Sequence, residues 1–409
     1  MRTLGWAALI ASVTGCATAQ MNPGAPAHGV AYRGGLWFDG STFKSMTMYV
    51  VDGVFRTRAP AQIDSTVDLA GGYVVPPFAD AHQHFLDPRI DETIRVQLAA
   101  GIFYVKDQGN TPFLRRLIDP ALNRPTSIDF ISANQGWTSP GGHPVEVVKR
   151  GAPPGGPMAF LVRDSLDPGI VMQVENAADI DRRWAYFLAG KPDFVKVYLF
   201  RSEDYTRIRA EGIEGRGGID PALVPEIVKR AHAAGLQVSA HVYTAADFRS
   251  AVAGGVQQIA HLPGGRGPDS VFMLTDADAA AARRAGVTVI TTVTQHEDSA
   301  LLARLLKTQY AHNIEVLRRH GVPLLIGSDL VGRTAAIEID ALAHSGLFSA
   351  LELLRMWSVT TPQSIFPNRR IGTLRDGAEA SFLVLRANPL EDLAATRVIT
   401  LRVKQGVRL

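Results

Sequence analysis

The feature of this sequence that most constrains its fold is a series of β-like segments that alternate with helical patterns. Eight short apolar segments lie at 75–79, 102–106, 128–132, 194–198, 237–241, 257–261, 288–292 and 323–327. Helical patterns occupy 220–235, 244–254 and 276–286, and each ends at a glycine. Alternating strands and helices form parallel sheets, so eight such units predict an α/β fold, a (β/α)8 TIM barrel with its reactive groups at the carboxyl ends of the strands.

Short β-like segments also lie on both sides of this region. On one side they occur within 29–75, and on the other they return after position 371. We therefore expect a barrel over 76–370 and a small β-sandwich domain built from both chain ends, 29–75 together with 371–409.

The first 20 residues have the features of a signal peptide. Met1-Arg2 supplies one positive charge, and the apolar run that follows, 3–13, is too short to cross a bilayer as a helix. The stretch ending at Cys16 resembles a bacterial lipoprotein box, which predicts cleavage before Cys16 and membrane attachment through a lipid on that residue. The segment 17–19 also fits an ordinary cleavage site. Both hypotheses predict export, either to the periplasm or the outer membrane of a bacterium or by secretion.

Charge and cysteine content limit the classes of function. The 42 Lys and Arg residues against 39 Asp and Glu give a net charge of +3, with no basic cluster interleaved with aromatics, so nucleic-acid binding has no support. The single cysteine, Cys16, excludes a disulfide framework and a thiolate metal cluster. Histidine, carboxylate and modified lysine remain as metal ligands.

Polar residues mark the ends of five of the predicted strands. His82 and His84 follow the first strand and point to the same side, because strand side chains alternate. Four further strand ends carry, in order, Lys196, His241, His261 and Asp329. Since these ends meet at one mouth of a barrel, the six residues together predict a metal site.

These motifs make the chain similar to the amidohydrolase superfamily, within its imidazolonepropionase and prolidase-like branch. The stretches that carry the resemblance are 75–84, 194–198, 240–243, 259–261, 327–329 and the tail 370–385. The resemblance implies two divalent metal ions, with His82, His84 and Asp329 on the buried ion and His241 and His261 on the more exposed one. It also implies that Lys196 is carboxylated by carbon dioxide and bridges both ions.

The implied chemistry accounts for these residue types. A lysine ammonium cannot bind a metal, whereas its carbamate is an anionic ligand, and histidine-rich ligation favours zinc. Two such ions would generate a hydroxide at neutral pH, with Asp329 as the proton acceptor. The sequence therefore predicts a metal-dependent hydrolase that cleaves the amide bond of a dipeptide or N-acyl amino acid with a free carboxylate.

Four further residues are predicted near the substrate. Tyr243 occupies a position where prolidase-like relatives carry an oxyanion-binding phenol, and His143 lies in a glycine-rich loop that resembles a family lid. Tyr198 shares the strand face of Lys196, and His296 follows the seventh strand on the same face.

Two alternative functions remain at this point. One is hydrolysis of a cyclic amide or lactone, or deamination, on the same barrel. Deaminase relatives place a glutamate soon after the fifth-strand histidine, whereas Val242 and Tyr243 follow His241 in this chain, which disfavours deamination. The other is a non-enzymatic binding scaffold, since a fold alone does not determine function.

Overall fold

The computed structural model describes residues 28–86, 88–152, 169–295 and 298–409. The strands, in chain order, are β1 (His28–Phe38), β2 (Phe43–Val51), β3 (Val54–Arg56), β4 (Gln62–Asp68), β5 (Tyr73–Val75), β6 (Phe78–Gln83), β7 (Ile102–Asp107), β8 (Asp129–Ser132), β9 (Gly136–Thr138), β10 (Val171–Gln173), β11 (Val195–Tyr198), β12 (Val238–His241), β13 (Gln258–Ile259), β14 (Thr288–Ile290), β15 (Leu324–Leu325), β16 (Phe382–Leu385), β17 (Ile399–Lys404) and β18 (Val407–Arg408). The predicted signal segment 1–20, with Cys16, lies outside the described residues.

Helices lie between most of the strands from β6 onward. In chain order they are α1 (Ile90–Ala99), α2 (Pro112–Ile118), α3 (Val145–Gly151), α4 (Ala177–Ala189), α5 (Tyr205–Glu211), α6 (Val224–Ala233), α7 (Ala245–Ala253), α8 (Asp269–Phe272), α9 (Asp276–Arg284), α10 (Ser299–Leu305), α11 (Gln309–Arg319), α12 (Ala336–Ser345), α13 (Ala350–Arg355) and α14 (Thr361–Ile365). None of the described helices combines the length and the apolar character that a membrane crossing requires.

Strands from both chain ends share one eight-stranded sheet. Its order is β18-β17-β16-β5-β1-β2-β3, and β4 pairs with β1 beside this path. Aromatic rings fill its core: Phe382 lies 5.0 Å from Tyr32, 5.4 Å from Trp37 and 5.8 Å from Phe55 between ring centroids. The two ends of the chain are therefore joined by backbone pairing and by a common apolar core.

The central region contains two sheets in which every pairing is parallel. One has the order β10-β9-β11-β12-β13-β14-β15 and the other the order β6-β7-β8. The Ala81 N–H donates to the Ile326 carbonyl at 2.9 Å, and the Asp193 N–H donates to the Ser132 carbonyl at 2.9 Å. These bonds place β6 beside the end of β15 and β8 beside the start of β11, so the carboxyl ends of these strands lie on one side.

The structure corrects the first predicted strand. The segment 75–79 is not one strand, because Val75 ends β5 in the sheet of the chain ends and β6 begins at Phe78. The residues between them are Pro76 and Pro77, which have no N–H to donate and interrupt the ladder. Strands β9 and β10 were not predicted, since three residues each are too few for a recognisable alternation.

The predicted helix signals are largely confirmed. Helix α7 lies between the Thr244 N-cap, which forms a capping box with Asp247, and Gly254. Helix α9 begins at Asp276 as expected, although its N-cap is Thr275. In the region 220–235 a short 3-10 turn follows the Asp220 cap, and α6 starts only after it.

A buried ion-pair network connects the C-terminal strand β17 to the parallel strands. The Lys404 side chain is fully buried, and its Nζ lies 2.6 Å from Asp129 Oδ1 on β8. Arg369 contacts the other oxygen of Asp129 at 2.8 Å and also pairs with Glu379 at 2.6 Å. Asp129 therefore neutralises two cations at this junction.

We predict that Asp129→Ala lowers the free energy of unfolding by about 3–5 kcal/mol, because it leaves the buried Lys404 ammonium without its carboxylate. Urea denaturation followed by circular dichroism measures the change. The control is Glu92→Ala, which removes an ion pair with Arg95 whose side chains are 72% and 73% exposed; its effect should stay below about 1 kcal/mol. Equal effects of the two variants would contradict this role of Asp129.

Candidate metal centre

The two histidines of β6 and the aspartate after β15 form the centre of the site. Asp329 Oδ1 lies 3.1 Å from His82 Nε2 and 3.0 Å from His84 Nε2. The other ring nitrogens face backbone carbonyls, His82 Nδ1 that of Ala260 at 3.0 Å and His84 Nδ1 that of Gly109 at 3.2 Å. In the tautomer in which each Nδ1 donates to its carbonyl, each Nε2 lone pair is available to a cation beside Asp329, so these three side chains can hold a metal ion.

Asp329 is held in an unusual backbone conformation by its neighbours. Its φ angle is +53°, a value that few residues other than glycine adopt. The Asp329 N–H donates to the His82 carbonyl at 2.7 Å. One residue earlier, the Ser328 hydroxyl donates to buried Asp80 at 2.7 Å, and Asp80 also accepts from the His82 N–H at 3.1 Å. These bonds connect β6 to the residues that follow β15, and they offset the backbone strain at Asp329.

His241 and His261 lie beside these three residues. The His261 ring centroid is 4.6 Å from that of His82 and 4.5 Å from that of His241. His241 Nε2 is buried and has no hydrogen-bond partner among the residues that the structure describes. A buried polar nitrogen without a partner is costly, and a metal ligand bond would remove that cost. The donor set of four imidazoles and one carboxylate therefore fits divalent metal binding.

Burial controls the charge of these imidazoles. It lowers the pKa of His82 to about 4 and holds the pKa values of His241 and His261 well below the ordinary value. For His84, burial acts in the same direction, but the hydrogen bond and charge of Asp329 outweigh it and raise the pKa. Neutral imidazole is the ligand form, so His82, His241 and His261 are in the state that metal binding requires.

Lys196 lies in the same buried space. Its side chain is about 1% exposed, and its Nζ donates to Gln108 Oε1 at 3.2 Å. Burial lowers its pKa to about 7; the charge of Asp329 opposes the shift and that of Lys106 adds to it. A substantial fraction of this amine is therefore uncharged and nucleophilic near neutral pH, as carbamate formation requires.

His143 and Tyr198 also border the site. The His143 ring centroid lies 4.5 Å from that of His241, and His143 Nδ1 is 3.0 Å from Glu146 Oε1. The Tyr198 ring lies 5.9 Å from His241, in space left by Gly136, where a Cβ would come within 2.2 Å of the phenol ring. Both residues are thus positioned to contact a molecule bound at the site.

The other two predicted substrate residues differ in placement. The Tyr243 ring stacks on Phe200 at 4.5 Å and meets Phe272 edge-on at 5.3 Å, so it lies one aromatic layer away from the histidines. His296 lies outside the described residues.

Sequence reasoning missed two residues of this region. Gln108 bonds to Lys196, and Phe200 stacks between His143 and Tyr243, with centroid distances of 5.0 and 4.5 Å. Gln108 directly follows β7, so a search for polar residues at strand ends could have identified it. An amide, however, is not a typical metal ligand. Phe200 offered no sequence signal beyond its position two residues after β11.

Comparisons with known proteins agree with this geometry. Residues 189–407 match the family model described as the amidohydrolase family. An uncharacterised protein of Mycobacterium tuberculosis strain H37Rv is 30% identical over 131 residues, which cover 27% of this chain and 21% of that protein. The corresponding protein of Mycobacterium bovis gives the same values. The match thus spans about a fifth of the length of these curated relatives.

Solved structures share the fold over nearly the whole chain. A prolidase complexed with N-methylphosphonate-L-proline is 19% identical with a TM-score of 0.70, covering 93% of this chain and 99% of that one. The ochratoxinase of A. niger is 16% identical with a TM-score of 0.72, covering 94% and 96%. A Xaa-Pro dipeptidase is 16% identical with a TM-score of 0.70, covering 93% and 99%. At these identities the likeness concerns the fold.

We predict that His82→Ala removes most of the metal that the protein retains after dialysis, because it deletes one of the three facing ligands. Metal content by inductively coupled plasma mass spectrometry checks this, with circular dichroism to confirm folding. The control is His344→Ala on α12, whose exposed ring bonds to the backbone carbonyl of Asp340. Unchanged metal content in His82→Ala would show that His82 is not a ligand.

Proposed function

The chain belongs to the amidohydrolase family, and on that premise we propose that it is a metal-dependent hydrolase that cleaves an amide bond of a dipeptide or N-acyl amino acid. The observation that carries the proposal is the convergence of four imidazoles, one carboxylate and one buried lysine from five of the parallel strands and the residues that follow them. Apolar residues would stabilise the fold better than these buried polar groups, so we attribute the groups to a function and not to stability.

The same proposal includes the architecture around the site. We infer that β6, β7, β8 with β9, and β11 to β15 form one closed (β/α)8 barrel over 76–370, flanked by a β-sandwich of 29–75 and 371–409. The backbone bonds Ala81–Ile326 and Asp193–Ser132 support closure, since they join both edge strands of the three-stranded sheet, β6 and β8, to the seven-stranded sheet, after β15 and just before β11.

We propose that His82, His84 and Asp329 hold one divalent ion and that His241 and His261 hold a second. Lys196, as its carbamate, contributes to both: the neutral amine adds to carbon dioxide, forms a C–N bond and releases one proton. When bound, two divalent ions such as zinc would lower the pKa of a water molecule and polarise the amide carbonyl.

Asp329 is the residue that moves the proton. Its pKa lies well below the ordinary value, because His82 and His84 outweigh the opposing effect of burial, so it is ionised and can accept a proton from the attacking water. About 18% of its side chain is exposed, which leaves it accessible from the site. The leaving amine then receives the proton from the same carboxyl group.

Residues around the site suit a substrate with a free carboxylate. The charges of Arg201 and Arg266 both act on the Tyr243 hydroxyl and oppose the rise in its pKa that burial causes. Arg201 and Arg266 pair with Asp204 and Asp298, and their side chains are 42% and 72% exposed. A substrate carboxylate beside the aromatic stack of Phe200 and Tyr243 would compete with these aspartates for the two guanidinium groups. His143, oriented by Glu146, would donate to the substrate carbonyl.

We also propose that the protein is exported. The positive charge at Arg2, the short apolar run 3–13 and the cysteine at position 16 support removal of a signal segment and attachment through a lipid on Cys16. Separation of cell fractions, with Cys16→Ser as the comparison, distinguishes an anchored protein from a freely secreted one.

The function is tested with zinc-loaded protein and a panel of N-acetyl amino acids, dipeptides, their methyl esters and lactones. We expect hydrolysis of amides with a free carboxylate and weaker activity on the esters of the same compounds. Asp329→Asn should lower kcat by about 10²–10⁴-fold because it removes the proton acceptor. Asp340→Asn, an exposed position paired with Arg397, is the control. Turnover of lactones alone would favour the lactonase alternative, and no turnover of any compound would favour a binding scaffold.

Lys196→Ala should lose bound metal and activity together, and millimolar acetate or propionate should restore part of both by replacing the carbamate in the vacated space. Metal content and kcat are measured with and without the added acid. The control is Lys149→Ala, an exposed lysine paired with Glu214. A Lys196→Ala protein with normal metal content and rate would contradict the bridging role.

A further inference from the structure

A second buried lysine lies apart from the metal centre. The Lys106 side chain, on β7, is about 3% exposed, and its Nζ lies 4.0 Å from the centre of the Phe194 ring. Among the described residues it forms no hydrogen bond or ion pair with any oxygen. An ammonium in this environment is costly unless an anion accompanies it.

Lys106 lines a cavity of about 380 Å³. Gln237 directly precedes β12, and Asp193 and Phe194 directly precede β11. The cavity therefore lies at the amino ends of these strands, opposite the ends that carry His241 and Tyr198. Its apolar walls are Ile131, Phe194, Ile365 and Phe366, and the amides of Gln237 and Asn368 also face it. The cavity thus combines an apolar body with hydrogen-bond donors.

The other charged groups of this cavity are already neutralised. Arg369 pairs with Asp129 and Glu379 at 2.8 and 2.6 Å. The Asp193 carboxylate accepts from Arg115 at 3.3 Å and from the Ser132 N–H at 2.8 Å.

Lys404 provides the comparison: it is an equally buried lysine nearby, and the fold supplies Asp129 to it at 2.6 Å. Within the described part of the chain, no such carboxylate accompanies Lys106.

We propose that this cavity is a binding site for a small organic carboxylate, whose anionic end pairs with Lys106 and whose apolar part packs against Phe194 and Phe366. The bound carboxylate would supply the negative charge that no described residue provides to Lys106. Burial lowers the pKa of Lys106 to about 7, which agrees with an ammonium that has no anion beside it. This ligand is distinct from the substrate of the amide hydrolysis proposed above.

Benzoate serves as the probe, and benzamide, its neutral isostere, as the chemical control. Isothermal titration calorimetry of the full-length zinc-loaded protein should show a benzoate site that benzamide does not occupy. Lys106→Met should weaken that site about tenfold or more, because it removes a charge-assisted contact. Lys149→Met should not change it. Benzoate bound at the metal centre would persist in Lys106→Met; identical titrations of this variant and the parent protein would overturn the proposal.

A second measurement needs no variant. Trinitrobenzenesulfonate labels uncharged amines, and peptide mapping gives the labelling rate of each lysine in the parent protein. Benzoate should slow the labelling of Lys106 severalfold and leave that of Lys149 unchanged, whereas benzamide should slow neither. Labelling of Lys106 at the same rate with and without benzoate would refute carboxylate binding in the cavity.

Discussion

The contact of the Asp329 carboxylate with His82 and His84 is the interaction on which the site depends. It joins the end of the last parallel strand to the first one, and the Asp329 N–H and the His82 carbonyl reinforce it through the backbone. Because Asp329 is held at φ +53°, its carboxylate points at both imidazoles instead of following the strand. The buried Asp80–Ser328 bond behind it keeps this conformation in place.

Desolvation then determines the chemistry of the cluster. The same burial that keeps most of the imidazoles neutral also makes a lysine amine partly uncharged, so one physical cause acts on both kinds of proposed metal ligand. His241 Nε2 shows the cost of this desolvation, since it is buried and no described residue forms a hydrogen bond with it. A site built in this way gains stability when cations enter, because they replace the lost hydration of its polar atoms.

Three buried lysines in this fold differ in the groups that surround their side-chain amines. Lys404 has a carboxylate, Asp129, and contributes to the junction between the chain ends and the parallel strands. Lys196 donates to the amide oxygen of Gln108 and lies over the Tyr198 ring, which suits the carbamate that we propose for it. Lys106 has an aromatic face and a cavity. Burial alone therefore does not indicate the role of a lysine; its partner does.

The sequence by itself determined the order of strands and helices and the identity of the six strand-end residues, because the alternation of apolar segments and the types of ligand are local properties. It misplaced the first strand at Pro76–Pro77, where local hydrophobicity continued but the backbone pairing changed sheets. Only the tertiary structure decided that Gln108 contacts Lys196, that Phe200 separates Tyr243 from the histidines, and that none of the described carboxylates pairs with Lys106. These facts depend on which distant side chains share a space after packing, and no local pattern in a chain encodes that distance.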